Sequence, residues 1–305
     1  MGGFRQCFSS GNICRFCHIK YTDLQSDIED YESYQFDPWT VEDYDKAVEV
    51  IEKRMKQSNI CYSSSSDTSD DSATEEDNCD ENLELYGLKH RCPFNVLKSF
   101  HCINGFPPDV LHDLFEGVIS QDLLGCIRIL AVKGWFSIDE YNVALKNLSL
   151  KSSESSDRPE IVPSNNKVKK LVGKAVSIWK HIRYFPILIR PFVKDKEETA
   201  LKLVLQLHEL VERIVAPRIR EYEIDTLRQR IFECLNSRSL LFMDYPDLLG
   251  TMKPKTHLLC HYPEAIVNFG PPINYWTARY ESRHRIGKST ADSAKNFKVT
   301  IFYIS

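Results

Sequence analysis

Along most of the chain the apolar positions recur at three- and four-residue intervals, and that spacing predicts helices. Thr40 to Lys56 reads as an amphipathic helix with Thr40 at its start. Phe106-Pro-Pro-Asp109 has the marks of another helix start, with proline ahead and acids in the first turn. That helix is expected to run through Leu123, Leu124, Ile127 and Leu130 to Lys133-Gly134. Further helices are predicted over Val168 to Ile182, Glu197 to Ala216 and Tyr222 to Leu235, punctuated by Pro186, Pro191 and Pro217. Only short segments such as Tyr184 to Ile189 offer themselves as strands, so the expected fold class is mainly α.

Composition adds the boundaries. Ser63 to Asn82 is acidic and serine-rich, with no aliphatic side chain larger than Ala73, so it cannot bury enough apolar surface to offset its ordering entropy and is expected to be disordered. Ser152 to Asn166 reads as a second polar linker. The division that follows is a Cys-x-x-Cys segment with its helix over 1–57, an acidic linker over 58–90, a helical block over 91–250 and a C-terminal segment over 251–305. Formal net charge is only −4, so overall charge selects no partner; local charge is the better guide. There are ten cysteines, one Cys-x-x-Cys motif, no secretory leader and no apolar run of transmembrane length. Free thiols in a nuclear or cytoplasmic compartment are the expectation, with no membrane association.

Candidate chemistry lies near the two ends. On a helix His257 and His261 would share one face, so their imidazoles can converge on a cation. A structural zinc site needs four ligands, and Cys14-Arg-Phe-Cys17 is the pair that can supply the other two. His18 beside Cys17 also resembles a haem-attachment sequence, but half a zinc site fits the expected compartment better. Asp109, His112, Asp113 and Glu116 recur at helical spacing, which an ordinary solvated face would also explain. Glu281 is surrounded in sequence by Arg279, Arg283, Arg285, Lys288, Lys295 and Lys298. It is either a salt-bridge partner or a metal ligand beside a phosphate backbone. Trp179, His181 and His208 read as core or boundary residues.

Taken together, three strings resemble the CACTA-type (EnSpm-like) cut-and-paste transposases of animal genomes. They are Pro107-Pro-Asp-Val-Leu-His-Asp-Leu-Phe-Glu-Gly-Val118, Lys255-Thr-His-Leu-Leu-Cys-His-Tyr-Pro-Glu-Ala-Ile-Val-Asn-Phe-Gly-Pro271 and Trp276-Thr-Ala-Arg-Tyr-Glu-Ser-Arg-His-Arg285. Phe4 to Cys17 is similar to the segment that follows that family's second catalytic aspartate. The resemblance spans nearly the whole chain. It implies a DDE transposase with a ribonuclease-H-like core, in which three acids hold two magnesium ions. Glu281 matches the third acid, and Asp109 and His112 match an Asp-x-x-His signature whose role the resemblance leaves open. A related recombinase that assembles antigen-receptor genes has the same zinc layout, which implies a clamp of Cys14, Cys17, His257 and His261 around a helical insertion.

Met1 falls immediately before the segment that follows the second aspartate, so the expectation is a fragment that lacks two of the three acids. A single carboxylate cannot organise two magnesium ions. The expected protein is therefore transposon-derived and catalytically inactive alone, with structural zinc, DNA as a candidate partner, and Arg279, Arg283, Arg285 and Lys288 as candidate nucleic-acid contacts. The alternative is a non-enzymatic module that binds other proteins through its helices and acidic linker. Oligomeric state is not readable from the sequence.

Overall fold

The computed structural model describes residues 11–25, 37–64, 87–278, 280, 281 and 283. Most of the acidic segment, together with Arg279, Arg285 and Lys288, lies outside the described residues. Within them the protein is mainly helical, and the extended pairings are two isolated bridges, Asn12 with Lys20 and Cys17 with Pro38. In chain order the helices are α1 (Tyr21–Gln25), α2 (Val41–Ser64), α3 (Cys102–Gly105), the wide-wound π-helix α4 (Val110–Ile119) and α5 (Ser120–Val132) that continues it. Then come α6 (Ile138–Lys146), α7 (Ala175–Ile189), α8 (Thr199–Ile214), α9 (Glu221–Asp244), α10 (Pro246–Leu249), α11 (Pro254–His257) and α12 (Tyr262–Phe269). Among the described residues no helix is long and apolar enough to cross a membrane.

The chain forms two compact units, each assembled from two separate stretches. One comprises residues 1–108 and 228–262, the other residues 109–227 and 263–305. The boundaries expected from composition at 57, 90 and 250 mark changes in polarity, whereas the units follow packing and join stretches distant in sequence.

In the first unit α2 buries the face expected from its apolar spacing. Tyr44, Val48 and Ile51 pack with Trp39, Leu88, Cys92, Cys102 and Ile103. Thr40 caps the helix, its Oγ1 accepting from the backbone N–H of Asp43 at 3.0 Å, which satisfies one of the unpaired donors of a helix start. Gly87 is needed where it stands: its φ is +63°, and a Cβ there would meet the Asn12 carbonyl oxygen at 2.2 Å. In the second unit α4 lies against α7, and α5 against both α4 and α8. Leu123, Leu124, Ile127 and Leu130 of α5 are all buried, as the helical spacing predicts.

Three local expectations are corrected. Tyr184 to Ile189 is not a strand; it is the end of α7, where Phe185, Leu188 and Ile189 continue the buried face begun by Ile178 and Ile182. Pro186 sits inside that helix and leaves one backbone bond unmade, which buried apolar neighbours on both sides outweigh. The helix also begins at Ala175, because residues 158–174 form an anchored loop rather than the first turns of a helix. Finally, the helix expected to start near Asp109 is π-wound through Ile119. A strict three-and-four spacing therefore does not define its faces.

Candidate functional site

The Cys-x-x-Cys segment is a tight knuckle. The Ile13 N–H donates to the Ile19 carbonyl and the Tyr21 N–H to the Gly11 carbonyl, folding the segment back on itself. Its outer edge is held by His18 N–H to the Asp37 carbonyl and Trp39 N–H to the Phe16 carbonyl. The Trp39 indole N–H reaches the Cys14 carbonyl at 3.2 Å, and the Phe16 N–H points at the Cys14 sulfur at 3.3 Å. These contacts fix both sulfurs facing one way.

Against them, Lys253-Pro-Lys-Thr-His257 opens α11 and a 3-10 turn over Leu258–His261 completes the pair. The four donor atoms of Cys14, Cys17, His257 and His261 lie within 4.8 Å of one another. Cys14 Sγ is 3.4 Å from His261 Nε2, Cys17 Sγ is 3.2 Å from His257 Nε2, and the two Nε2 atoms are 3.0 Å apart. Cys14, Cys17 and His257 are buried. A tetrahedral ion with bonds of about 2.3 Å to sulfur and about 2.1 Å to nitrogen would set its donors roughly 3.4–3.8 Å apart. The sulfur–nitrogen spacings of 3.2 and 3.4 Å lie close to that range and the 3.0 Å nitrogen pair somewhat below it, so small shifts would seat a shared ion. Two imidazole nitrogens so close, facing two sulfurs, form a donor set that can hold a metal ion. The four ligands expected from the sequence are brought together across more than two hundred residues.

The two thiols are driven in opposite directions, and a metal would have to displace the Cys17 proton. Although burial alone raises the Cys14 thiol, its hydrogen bond with Cys17 and the neighbouring His261 and His257 hold it well below its ordinary value. The same hydrogen bond, with burial added, keeps Cys17 protonated. Burial lowers His257, so its ring stays neutral and keeps a lone pair for a metal. The sequence reading missed Cys260, a partly exposed thiol beside these sulfurs whose ionisation burial suppresses.

A second cluster lies in the other unit. Asp109 caps α4, its Oδ1 accepting from Leu111 N–H at 3.4 Å, while Asp113 reaches back to the Asp109 N–H at 2.9 Å. The same Asp109 carboxylate takes the Thr277 hydroxyl at 2.6 Å and the Thr277 N–H at 3.1 Å. It thus also holds the start of the helical turn that carries Glu281, whose N–H bonds to the Thr277 carbonyl. His112 bridges the two acids, with Nδ1 2.5 Å from Asp109 and Nε2 3.0 Å from Glu281.

With a carboxylate at each nitrogen the ring donates twice, the bonding pattern of an imidazolium. Burial opposes that charge, but the hydrogen bond to Asp109 and the nearby acids Asp109, Glu116 and Glu281 raise the His112 pKa. Burial likewise opposes the Asp109 anion, and the bonds from Thr277 and His112 outweigh it and lower its pKa. The arrangement holds Glu281 exposed and oriented by His112, with Asp109 fully engaged as an anchor.

Asp109, His112 and Glu281 are therefore brought together, and Thr277 joins them. The only signal for Thr277 in the sequence is its position four residues before Glu281, at a helix start. Arg283 is described and exposed. Trp276 packs edge-on to Trp179, with ring centroids 5.8 Å apart, and Trp179 stacks on Phe115. No protein-family model, no curated protein and no solved structure matches the chain.

Proposed function

We propose that the protein is a transposon-derived chain resembling the C-terminal part of a DDE transposase, inactive in strand cleavage alone, with a structural zinc ion and affinity for DNA. The observation that carries the reading is the meeting of Asp109-x-x-His112 with Glu281. The resemblance groups these motifs in one family, and their contact across the fold is what a shared site requires. The zinc assignment rests on the two-sulfur, two-nitrogen donor set, which suits zinc better than the oxygen-preferring magnesium or calcium. Cys14, Cys17, His257 and His261 would hold the ion, and its contribution there is to stability.

Inactivity follows from the carboxylates. Two magnesium ions need several acids with free lone pairs about one phosphate. Asp109 spends its oxygens on Thr277, His112 and Leu111, while the exposed Glu281 pairs with His112 and the half-buried Glu116 lies nearby. On this reading the chain keeps the frame that positions a third acid within a ribonuclease-H-like core, together with exposed Arg283, and the described residues form no carboxylate cluster that would hold magnesium.

The test is binding of a labelled DNA duplex over a series of salt concentrations, followed by incubation with Mg²⁺ or Mn²⁺. The expected result is affinity that falls steeply as salt rises, about 0.9 in logarithmic slope for each phosphate contact, with no strand cleavage. Salt-indifferent binding contradicts the DNA reading. Cleavage that disappears in Glu281→Ala contradicts inactivity.

A second reading, a protein-interaction module with no enzymatic role, is favoured by one observation. Phe94, Val96 and Leu97 are more than half exposed in the first unit, beside the mutually edge-on rings of Phe94, Phe100 and Phe106. A chain that binds no DNA at low salt leaves this reading standing.

A further inference from the structure

Residues 158–174 were expected to be partly a polar linker and partly a helix, and they are neither. Irregular loops of more than about 12–15 residues are uncommon in compact units and are usually functional or disordered. This one is anchored throughout. At its start Arg158 Nη1 donates to the carbonyls of Leu145, Lys146 and Leu148 at the end of α6. The Asn142 side chain then pairs with both backbone groups of Val162, at 2.8 and 2.9 Å. Arg128 reaches up from α5 and donates to the carbonyls of Pro163, Asn165 and Val168 at 3.0, 2.7 and 2.7 Å. The Leu171 N–H closes on the Ser120 carbonyl at 2.7 Å.

What this scaffold presents is positive charge placed where folding alone disfavours it. Lys167, Lys169, Lys170 and Lys174 are all exposed. Lys167, Lys170 and Lys174 have no ion-pair partner among the described residues. One acid, the exposed Glu160, packs against Gly173. Beneath the loop, the Arg128 guanidinium is 5% exposed and bonds to carbonyl oxygens alone. Its hydrogen bonds are satisfied but its charge is not neutralised, a costly arrangement in a buried position. Lys174 occupies the N-cap of the fifteen-residue α7 with no side-chain cap, where the helix dipole favours an anion over a cation. Such local conflicts, retained in an otherwise consistent fold, mark functional surface.

We propose that loop 165–174 and the first turn of α7 form a phosphate-contact surface for the backbone of duplex DNA. Four exposed lysines within eight residues of one anchored loop give it a local positive charge that complements a phosphate backbone, and the buried Arg128 beneath adds to that potential. The surface belongs to the same unit as the Glu281 cluster. Trp179, about 7.5 Å along α7 from Lys174, meets Trp276, the residue before Thr277. A duplex approaching Glu281 would thus have a second line of phosphate contacts within the same unit. This extends the DNA reading to residues that reading did not use.

The experiment uses the full chain and a fluorescein-labelled duplex of mixed sequence, with affinity measured by anisotropy from low to physiological KCl. Lys167→Gln/Lys169→Gln/Lys170→Gln/Lys174→Gln is compared with the parent and with Arg283→Gln. The quadruple variant is expected to lose about 3 to 4 from the magnitude of the logarithmic salt slope, and at least about tenfold in affinity at low salt. Arg283→Gln is expected to lose about one unit of slope. All four lysines are exposed, so the melting temperature should hold. If the quadruple variant fails to fold, Lys170→Gln/Lys174→Gln should show about half the change.

A parent with salt-dependent binding whose slope these variants leave unchanged overturns this proposal and leaves the broader DNA reading intact. A parent that binds no DNA overturns both. Displacement of DNA from the parent, but not from the quadruple variant, by equal charge concentrations of inorganic phosphate or polyglutamate would show a surface for small anions or acidic protein, and would overturn the commitment to duplex DNA.

Discussion

Cys14→Ser and His257→Ala should each abolish stoichiometric metal binding and lower the melting temperature by roughly 10 °C. Loss of a structural zinc removes folding free energy outright, and even about 3 kcal/mol corresponds to a shift of this order in a chain of this length. The two changes should not add, because either one empties the same site; the double variant should melt close to the singles. Differential scanning calorimetry with and without a strong chelator checks this. In the parent, the chelator should reproduce the effect of the variants. Additive losses, or a parent indifferent to chelation, would separate the two cysteines from the two histidines. The structure gives these four side chains no other shared role, since their donor atoms face one another across 3.0–3.5 Å in a buried space.

Acid should weaken the second unit through His181. This histidine is 2% exposed, and burial depresses its pKa to about 4. The neighbouring Tyr141 hydroxyl lies 3.0 Å from Nε2, and burial raises its pKa, so it keeps its proton. The hydroxyl therefore donates and the neutral imidazole accepts. In the unfolded chain the same histidine protonates near pH 6.5. Between pH 6.5 and about 4 the unfolded state binds a proton that the folded state refuses, so stability falls with pH through this window and levels off below it. A depression of this size corresponds to roughly 3 kcal/mol. Denaturant titrations of the parent should lose about that much more over this range than the variant Tyr141→Phe/His181→Phe, in which both hydrogen-bonding groups are gone. Equal losses in the two chains would show that His181 does not titrate as the buried geometry requires.

Much of the architecture was legible because it is written locally. Apolar spacing predicts α2, α5, α8 and α9, and those faces are buried. The metal cluster was legible for a related reason. A Cys-x-x-Cys turn and two histidines four residues apart each converge by local geometry, and the demand for four ligands suggests that the halves belong together. His181 was read as a core residue and is one.

What was not legible depends on contacts between distant positions. Thr277 is an ordinary polar residue until Asp109 is beside it. Ser152 to Asn166 looks like a solvated linker because composition records its polar side chains but not Arg128, 35 to 40 residues from the carbonyls it holds. The turns assigned to Val168–Ile182 were misplaced for the same reason: Leu171 is buried by a bond to Ser120, outside any helix. Tyr184 to Ile189 was ambiguous because a short apolar run fits a strand or a buried helix equally.

The central claim is that the knuckle near one end of the chain and the histidine pair near the other close on one zinc ion. The most direct measurement is zinc K-edge absorption fine structure on the purified chain, with the metal quantified in the same sample. One zinc per chain with two sulfurs at about 2.3 Å and two nitrogens at about 2.0–2.1 Å is the result the proposal predicts. Zinc absent after purification under non-chelating conditions, or bound by oxygen and nitrogen without two sulfurs, would contradict it.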